Sequence, residues 1–525
     1  MFDSHSTNPT MPKGRGVRRA AAAASVVAAA LVLSACGGEA ATNDSEQTLR
    51  FGLSAEPAVP IAGMSQGGAV YQMQAMLSSG LMAYDAKGNL QPALAESLEQ
   101  PDDTTYVFML REGLVFSDGS PLTVGNVTKT LEYYRDPANG TKVGTGLAGI
   151  ESISDDGDRT VTVELSEPDS AFLHYLAIPF AGILPDEALT PGAESWVGAG
   201  PFELTDFQSG VGATLKKNDD YYDAGAVDLE TIEVTFYPDG EARTNALLSG
   251  DVDLIEYVPW ENFERIEQAD GFTLDAQQGP FQYVQFNVTE DRPFADPLVR
   301  QAVAFALDRD NAVKAAFQSN GEPLAGLAIA ENDPAYDPNL SAMWEQDVEH
   351  AKDLLAEAGY PDGFSATMLT TSQYAFLQDT ALSVQQDLEA IGIDVTLDAP
   401  DWSTRVSKGN GGEYDLAVSG DTGVVADASY LLSWVTGEKT FNVSWGYENA
   451  ELTDLIDEGL RATDDAAKHD IYQRLAEIWV EEVPIAAIDT RSQAYAYRDG
   501  VEGFATLPGM LVFYSGYSIA DTSVE

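Results

Sequence analysis

Cysteine use sets the first limit on how this chain can fold. Cys36 is the only cysteine among 525 residues, so no disulfide can form within the chain. Buried apolar side chains must therefore hold the fold together, and the composition allows it, with 44% hydrophobic and 10% aromatic residues. At roughly 100–200 residues per domain, the chain is long enough for roughly two to four domains with large cores.

The residues before Cys36 have the three parts of a secretion signal. A basic stretch (13–19) precedes a run of small and apolar residues (20–32) that is too short to span a bilayer. The tetrapeptide at 33–36, LSAC, resembles a bacterial lipobox, which implies cleavage before Cys36 and acylation of that cysteine. We predict a lipoprotein-type signal peptide over 1–35, lipid attachment at Cys36 and a flexible tether over 36–47. A plain secretory signal that happens to contain a cysteine is the alternative.

Charge excludes one large class of partners. The chain carries 84 Asp and Glu residues against 28 Lys and Arg, a formal net charge of −56, and no basic stripe interrupts the acidic field. Such a surface repels nucleic acid. No later apolar run approaches the ~20 residues that a membrane helix needs. We therefore expect an extracytoplasmic body, held by its lipid alone to the outer, periplasmic-side face of the cytoplasmic membrane.

The order of the predicted elements places the chain in the α/β class. A helix expected over 376–390 lies between strands expected at 364–370 and 393–397, and a helix over 348–358 ends at Gly359. Further strands are predicted at 283–288, 485–489 and 494–497. Strands and helices that alternate in this way form sheets with helices packed on them.

Short motifs of catalysis and cofactor binding are present but lack the context that they need. The G-x-G-x-x-G pattern at 144–149 follows a turn-like segment and leads into a hairpin, whereas a dinucleotide site needs a strand before it and a helix after it. The triplet DTG at 421–423 matches that of aspartic peptidases, but the chain has no second copy, and that chemistry needs two carboxylates. The histidines beyond the signal are far apart in the sequence and without cysteine partners: His174, His350 and His469. We predict no enzyme, cofactor or metal site, with a secreted hydrolase that uses Asp421 as a remote alternative.

A series of short motifs resembles one family in both content and order. The chain reads YD at 84–85, LQPALAES at 90–97, YVF at 106–108, LR at 110–111 and FSDGSPLT at 116–123. GAGPF at 198–202, SGDVD at 249–253, VRQA at 299–302 and AKDLLAEAGYPDG at 351–363 follow. Together they resemble the solute-binding proteins of ABC importers, in the family typified by dipeptide, oligopeptide and nickel binders (bacterial extracellular solute-binding family 5). The match covers essentially the whole chain after the tether.

This resemblance implies a fold, a mode of action and a set of partners. It implies a two-lobed α/β periplasmic-binding-protein fold of the class II type, with lobe I over 48–280 including an inserted subdomain, lobe II over 281–487 and a return to lobe I over 488–525. Hinge crossings are expected near 283–287 and 486–489. A monomer of this kind closes on a small-molecule or peptide ligand and delivers it to the permease and ATPase subunits of an importer.

The segment 420–428 is the part of the family resemblance that indicates which ligand is bound. Peptide binders of the family often carry an aspartate that pairs with the α-amine of the peptide, in a segment patterned Gly-Trp-x-x-Asp-x-x-Asp-Pro. Here Asp427 matches the second aspartate, Val424 occupies the amine-pairing position and Asp421 replaces the tryptophan. Peptides remain the favoured cargo, and nickel chelates, opines and sugars stay open.

Candidate ligand contacts follow from the same segment and from nearby aromatic residues. Asp421 or Asp427 could pair with a ligand amine, whereas an alternative role for Asp427 is to cap a helix over 428–434. The full set of candidates is Asp421, Thr422, Asp427, Tyr430, Trp434, Trp402 and Tyr283.

Overall fold

The computed structural model describes residues 47–329, 333, 335–425 and 427–525. The predicted signal peptide, the lipid site at Cys36 and nearly all of the tether lie outside these residues. Within the described ranges, no helix combines the length and the apolar character needed to cross a membrane.

Strands and helices alternate along the described chain, as expected for the α/β class. The strands are β1 (Thr48–Leu53), β2 (Met82–Tyr84), β3 (Leu90–Pro92), β4 (Ala95–Asp102), β5 (Thr105–Leu110), β6 (Ile150–Asp155), β7 (Thr160–Leu165), β8 (Phe202–Gln208), β9 (Gly212–Lys217), β10 (Thr231–Phe236), β11 (Leu254–Ile255), β12 (Phe272–Phe286), β13 (Gly321–Pro323), β14 (Phe364–Leu369), β15 (Ile393–Asp398), β16 (Leu416–Asp421), β17 (Ala486–Arg498), β18 (Val501–Glu502) and β19 (Ser523–Val524). The α-helices are α1 (Gly68–Leu77), α2 (Val124–Arg135), α3 (Phe172–Tyr175), α4 (Gly240–Ser249), α5 (Phe263–Glu267), α6 (Pro297–Ala306), α7 (Arg309–Phe317), α8 (Val348–Glu357), α9 (Ala375–Ala390), α10 (Trp402–Gly411), α11 (Ala450–Arg461) and α12 (Asp465–Glu482).

Two long antiparallel strands, β12 and β17, form the centre of an 11-stranded sheet. On one side of this pair lie β11, β1, β10, β9 and β8, which we call the first half of the sheet, and on the other lie β16, β14 and β15, the second half. The short strand β13 also pairs with β17. The two halves are therefore joined through β12 and β17.

The β12–β17 ladder is irregular where the two halves meet. Its register shifts between Gln278 and Phe281 and again between Gln282 and Tyr283. Pro280 lies in the first of these interruptions, where its missing N–H removes a donor from the ladder. The sheet thus departs from regular pairing at the point where a cleft between its halves would open.

Three strand predictions near this centre were wrong in extent. The strands predicted at 485–489 and 494–497 are one continuous strand, β17, and the strand predicted at 283–288 begins at Phe272 as β12. Partners on both sides complete the ladder of β17, so that its polar residues remain in the strand.

Each part of the structure has its own apolar core. Leu49, Phe51 and Ile232 are fully buried in the first half of the sheet, in a cluster that also contains Tyr495. The second half, with α6, α8, α9, α11 and α12, shares a cluster around Phe286, Leu388, Leu416 and Trp479. A separate 4-stranded sheet, ordered β4-β5-β7-β6, packs with α2 around Phe108 and Val161. This smaller sheet lies within residues 95–165, and the inserted subdomain of lobe I stays a prediction.

Candidate ligand-binding site

A cavity of about 910 Å³ lies between the two halves of the large sheet. Residues after β1 and β11 line one side, and residues of α9, α10 and the end of β16 line the other. Pro280 to Gln282 of β12 and Arg491 of β17 complete the wall where the halves join. Protein sites for small molecules have volumes of roughly 300–1,000 Å³, so the cavity has room for a small solute.

Aromatic rings supply much of the cavity wall. The rings of Trp260 and Phe376 are 5.7 Å apart between centroids, although Trp260 follows β11 and Phe376 lies on α9. On the α10 side, Trp402 lies 5.1 Å from Tyr374 and 5.8 Å from Phe441. These rings give the cavity an apolar lining in which a few polar groups can orient a ligand.

Arg491 lies within this aromatic lining. Its guanidinium carbon is 5.7, 5.4 and 5.2 Å from the ring centroids of Tyr257, Trp260 and Phe376. The residue is 7% exposed and its Nη1 donates to Gln493 Oε1 at 3.0 Å. Cation–π attraction to three rings stabilises the charge, and such contacts are stronger when they are shielded from water.

The backbone of the wall is held in an unusual conformation beside Arg491. Tyr257 has a φ of 50° and Gln318, which also lines the cavity, has a φ of 55°, both in the left-handed region. Buried Arg243 donates to the carbonyl oxygens of Glu256 and Tyr257, at 2.9 and 2.6 Å. This bonding fixes the backbone at Glu256 and Tyr257, and strained backbone of this kind is concentrated at functional sites.

Arg405 brings a second guanidinium to the cavity. It is 1% exposed, and Nη2 donates to Val418 O at 2.8 Å and to Ser419 Oγ at 2.7 Å. Its guanidinium carbon lies 5.1 Å from the Trp402 ring and 5.7 Å from that of Phe441, and burial lowers the pKa of Arg405. Nε and Nη1 have no hydrogen-bond partner among the described residues.

Three of the predicted site residues line the cavity: Asp421, Thr422 and Trp402. Asp421 Oδ1 accepts from the backbone N–H of Thr422 at 2.7 Å, and Oδ2 accepts from Asn442 Nδ2 at 3.1 Å. The Asp421 carboxylate is therefore fixed in orientation while it remains partly exposed to the cavity. Thr422 Oγ1 donates to Met510 O at 3.4 Å.

Three further predicted residues, Tyr283, Tyr430 and Trp434, form an aromatic layer behind the wall. Tyr283 Oη and Trp434 Nε1 both donate to Asn442 O, at 2.6 and 3.2 Å. The ring of Phe281, which lines the cavity, lies 6.1 Å from that of Tyr430 and 5.6 Å from that of Trp434. The structure therefore places these residues as support for the wall, and their contact with a ligand stays a prediction.

Asp427 lies apart from the cavity in a buried ion pair. Lys468 Nζ donates to its Oδ2 at 2.5 Å, and the two side chains are 5% and 3% exposed. Its Oδ1 accepts from the backbone N–H of Ser429, at the start of the 3₁₀ helix Ala428–Trp434. Lys468 lowers the pKa of Asp427 against the effect of burial, which would raise it. Asp427 thus has the capping role that was the alternative to ligand contact, and a direct role in binding stays a prediction.

Comparison with known proteins identifies the family. Residues 89–442 match the model of "Bacterial extracellular solute-binding proteins, family 5 Middle". The glutathione-binding protein GsiB of Escherichia coli K12 is 29% identical over 470 residues, which cover 85% of this chain and 88% of that protein. Its homologue from Shigella flexneri is equally similar.

Solved structures show the same fold. The periplasmic binding protein AgaA from A. tumefacien R10, in complex with agropinic acid, matches with a TM-score of 0.81 at 38% identity and covers 91% of this chain and 99% of its own. DppA from Helicobacter pylori, in complex with the peptide STSA, matches with a TM-score of 0.79 at 23% identity over 92% of this chain and 100% of its own. The predicted family and two-lobed fold are confirmed. The chain belongs to family 5 of the bacterial extracellular solute-binding proteins and captures a solute for an ABC importer.

Proposed function

We propose that this chain captures a small amino-acid-derived solute, of the class that includes opines and short peptides, and delivers it to the permease and ATPase subunits of its importer. The observation that carries the proposal is the amphoteric, ring-lined cavity of about 910 Å³, which presents the Asp421 carboxylate on one wall and the arginines 405 and 491 on others. A solute built from amino acids carries carboxylates and often amines, and both can be matched by such a wall.

The ligands named for two relatives narrow the class of solute. The AgaA structure contains agropinic acid and is 38% identical to this chain, and GsiB, at 29% identity, is named for glutathione. Both ligands are carboxylic acids derived from amino acids. A peptide with a free α-amine is the second candidate, because Asp421 offers the cavity a carboxylate with an orientation fixed by Asn442.

Capture by closure of two lobes accounts for the position of the cavity. We place lobe I at 48–280 and 488–525, lobe II at 281–487, and the hinge where β12 and β17 pass between the halves of the sheet. A ligand in the cavity touches both sides, so that it stabilises the closed form by its differential affinity for that form. We further propose that a lipid on Cys36 and a tether over 36–47 hold this monomer to the outer face of the cytoplasmic membrane at high effective concentration near its permease. The proposed role is binding without catalysis.

The experiment is a thermal-shift and calorimetric screen of the purified protein. The panel contains agropinic acid, glutathione, a tripeptide, the N-acetylated form of that tripeptide, a nickel–histidine complex and a neutral sugar. Binding adds RT ln(1 + [L]/Kd) to stability, about 2.7 kcal/mol at a hundredfold excess over Kd. We expect an amino-acid-derived acid to raise the melting temperature. A response only to the sugar or to the nickel complex would contradict the proposal, and cleavage of the tripeptide that Asp421→Asn abolishes would favour the hydrolase alternative.

The variant Asp421→Asn separates the two candidate cargoes. It removes a charge at the wall but keeps an oxygen that can accept the bond from Thr422. If a peptide amine pairs with Asp421, this variant should bind the free tripeptide about 10- to 100-fold more weakly, because hydrogen bonds to charged groups contribute roughly 1.5–3 kcal/mol. Binding of the N-acetylated tripeptide and of agropinic acid should change little.

A further inference from the structure

Arg491 is a nearly buried cation without a counterion. Within the part of the chain that the structure describes, the one hydrogen bond of its guanidinium is to the neutral amide of Gln493, and it forms no ion pair. A guanidinium has five N–H donors, so most of its donors remain available at the cavity wall. An uncompensated buried charge is costly, and an anion bound beside Arg491 would supply the missing partner.

The nearest acid on the same strand face does not supply the missing charge. Asp489 lies two residues before Arg491 on β17, is fully buried, and has no hydrogen-bond partner on either carboxylate oxygen among the described residues. Burial raises the pKa of Asp489 to about 8, although Arg491 and Arg309 both act to lower it. Neither carboxylate oxygen is bonded to Arg491 and burial disfavours the charged form, so Asp489 does not serve Arg491 as a bonded counterion.

Arg309, the other cation facing Asp489, donates to backbone carbonyl oxygens from all three of its nitrogens. Its Nε donates to Leu324 O and Ala487 O, and its Nη1 and Nη2 donate to Trp344 O and Ala304 O, all at 2.9–3.0 Å. These bonds hold Arg309 in a structural position between α7, β13 and β17. Of the two arginines around Asp489, only Arg491 lines the cavity.

We propose that Arg491 is the anchor for a carboxylate of the transported solute, held by a guanidinium that three aromatic rings keep on the cavity wall. This inference rests on the proposed function and adds that the solute binds as an organic anion at the hinge strand. The rings of Tyr257, Trp260 and Phe376 cover the guanidinium and limit access of water. The planar donor edge that remains matches the two oxygens of a carboxylate, which a lysine ammonium in the same place would not do.

The test compares acids with their neutral esters. Glutathione, glutathione diethyl ester, agropinic acid and succinate are titrated at pH 6.5 into the unsubstituted protein, Arg491→Gln and Arg491→Lys. The control is Arg498→Gln, the same substitution on the same strand outside the cavity, where Arg498 pairs with Asp253. Circular dichroism and unfolding in urea show that each variant is folded.

We expect the unsubstituted protein and Arg498→Gln to prefer an acid over the ester by about 10- to 100-fold, because charge-assisted bonds to the carboxylate are lost in the ester. Arg491→Gln should lose most of this preference, because Arg405 alone remains to attract an anion, and Arg491→Lys should keep more of it. An unchanged acid preference in a folded Arg491→Gln would overturn the anchor and leave the proposed function intact. Failure of every acid to bind the unsubstituted protein would overturn the anchor as well, and binding of only a sugar or nickel complex would overturn both.

Discussion

Replacement of Lys468 by methionine tests the buried ion pair that joins three separate segments of the chain. Lys468 on α12 donates to Asp427 Oδ2 at 2.5 Å and to Ser170 Oγ at 3.2 Å. Ser170 Oγ also donates to Asp427 Oδ2 at 3.0 Å. Methionine fills a similar volume without a charge, so that the substitution leaves the Asp427 carboxylate buried without its cation.

The magnitude follows from burial. The side chains of Lys468 and Asp427 are 5% and 3% exposed, so water cannot replace the lost ammonium. Removal of one partner from a buried ion pair costs about 3–5 kcal/mol of unfolding free energy. Asp427 keeps its bonds from Ser170 and Ser429, which places the expected loss near the lower end, about 3 kcal/mol.

The pH dependence gives the prediction a sign. In the unsubstituted protein the pKa of Asp427 lies below its ordinary value of 3.8, so the contribution of its charge is present above about pH 4 and is lost as the pH falls through the folded-state pKa. Without Lys468 the buried carboxyl holds its proton to higher pH. Its neighbours Asp169 and Asp333 already have pKa values of about 6, through burial and the charge of Asp427. The deficit of Lys468→Met should therefore be largest at pH 7 and shrink toward pH 4.

Urea unfolding followed by tryptophan fluorescence measures this deficit at pH 7 and pH 5. The double variant Lys468→Met/Asp427→Asn, which has no buried charge left at the pair, should lose less stability than Lys468→Met alone. As a matched control, Lys352→Met removes an exposed pair with Glu349 and should cost less than about 1 kcal/mol. A deficit below about 1 kcal/mol for Lys468→Met at pH 7, or one that grows as the pH is lowered, would refute the reasoning.

Three further predictions concern the hinge strand, a tight turn and the membrane anchor. The raised pKa of Asp489 means that the folded protein holds a proton between about pH 4 and pH 8 that the unfolded chain has lost, so the stability of the unsubstituted protein falls as the pH rises through this window. Asp489→Asn should remove that part of the fall, and equal urea-unfolding profiles for both proteins would contradict this. Gly363→Ala should destabilise the protein far more than Gly113→Ala in the same assay. Both glycines have a φ near +70°, but a Cβ at 363 would lie 1.8 Å from Gly392 O, whereas nothing lies within 4 Å of a Cβ at 113. Cys36→Ser should release the protein from the membrane fraction of cells without weakening ligand binding, and weaker calorimetric binding would contradict the tether.

Helices with a clear apolar spacing were predictable to within about one residue. The helix expected over 348–358 is α8, Val348–Glu357, and the one expected over 376–390 is α9, Ala375–Ala390. Their signals are local, since apolar residues recur at helical spacing and Gly359 has a φ of 93° that stops the first of them. Neighbours distant in sequence were not needed to set these boundaries.

The central strands were harder to predict because their cause is not local. Polar residues 490–493 interrupt the apolar pattern of β17 and look like a loop between two strands. In the structure they stay in the ladder because β12 and β13 pair with them on either side. Arg491 can lie in the middle of this strand because its side chain faces the cavity and not an apolar core.

The candidate site likewise contains residues that local sequence predicted and residues that only the folded chain brings together. The sequence placed Asp421, Thr422 and Trp402 in the region of the ligand, and these residues do line the cavity. It did not single out Arg491, Arg405 or Trp260. An arginine is by default a solvated residue, and the burial of Arg491 depends on rings at positions 257, 260 and 376, which come together only in the folded chain.

The position of Arg491 links recognition to closure. Its guanidinium contacts Tyr257 and Trp260, which follow β11 of the first half of the sheet, and Phe376, which lies on α9 with the second half. A solute bound at this guanidinium lies between groups from both sides, and it makes all of these contacts only when the sides are close together. A ligand must favour one state about 10⁴-fold to move a population from 1:99 to 99:1. The anchor itself lies on the strand that joins both halves and is present in the open and closed forms alike, so the rings that approach the solute from the two sides supply the differential affinity that favours closure.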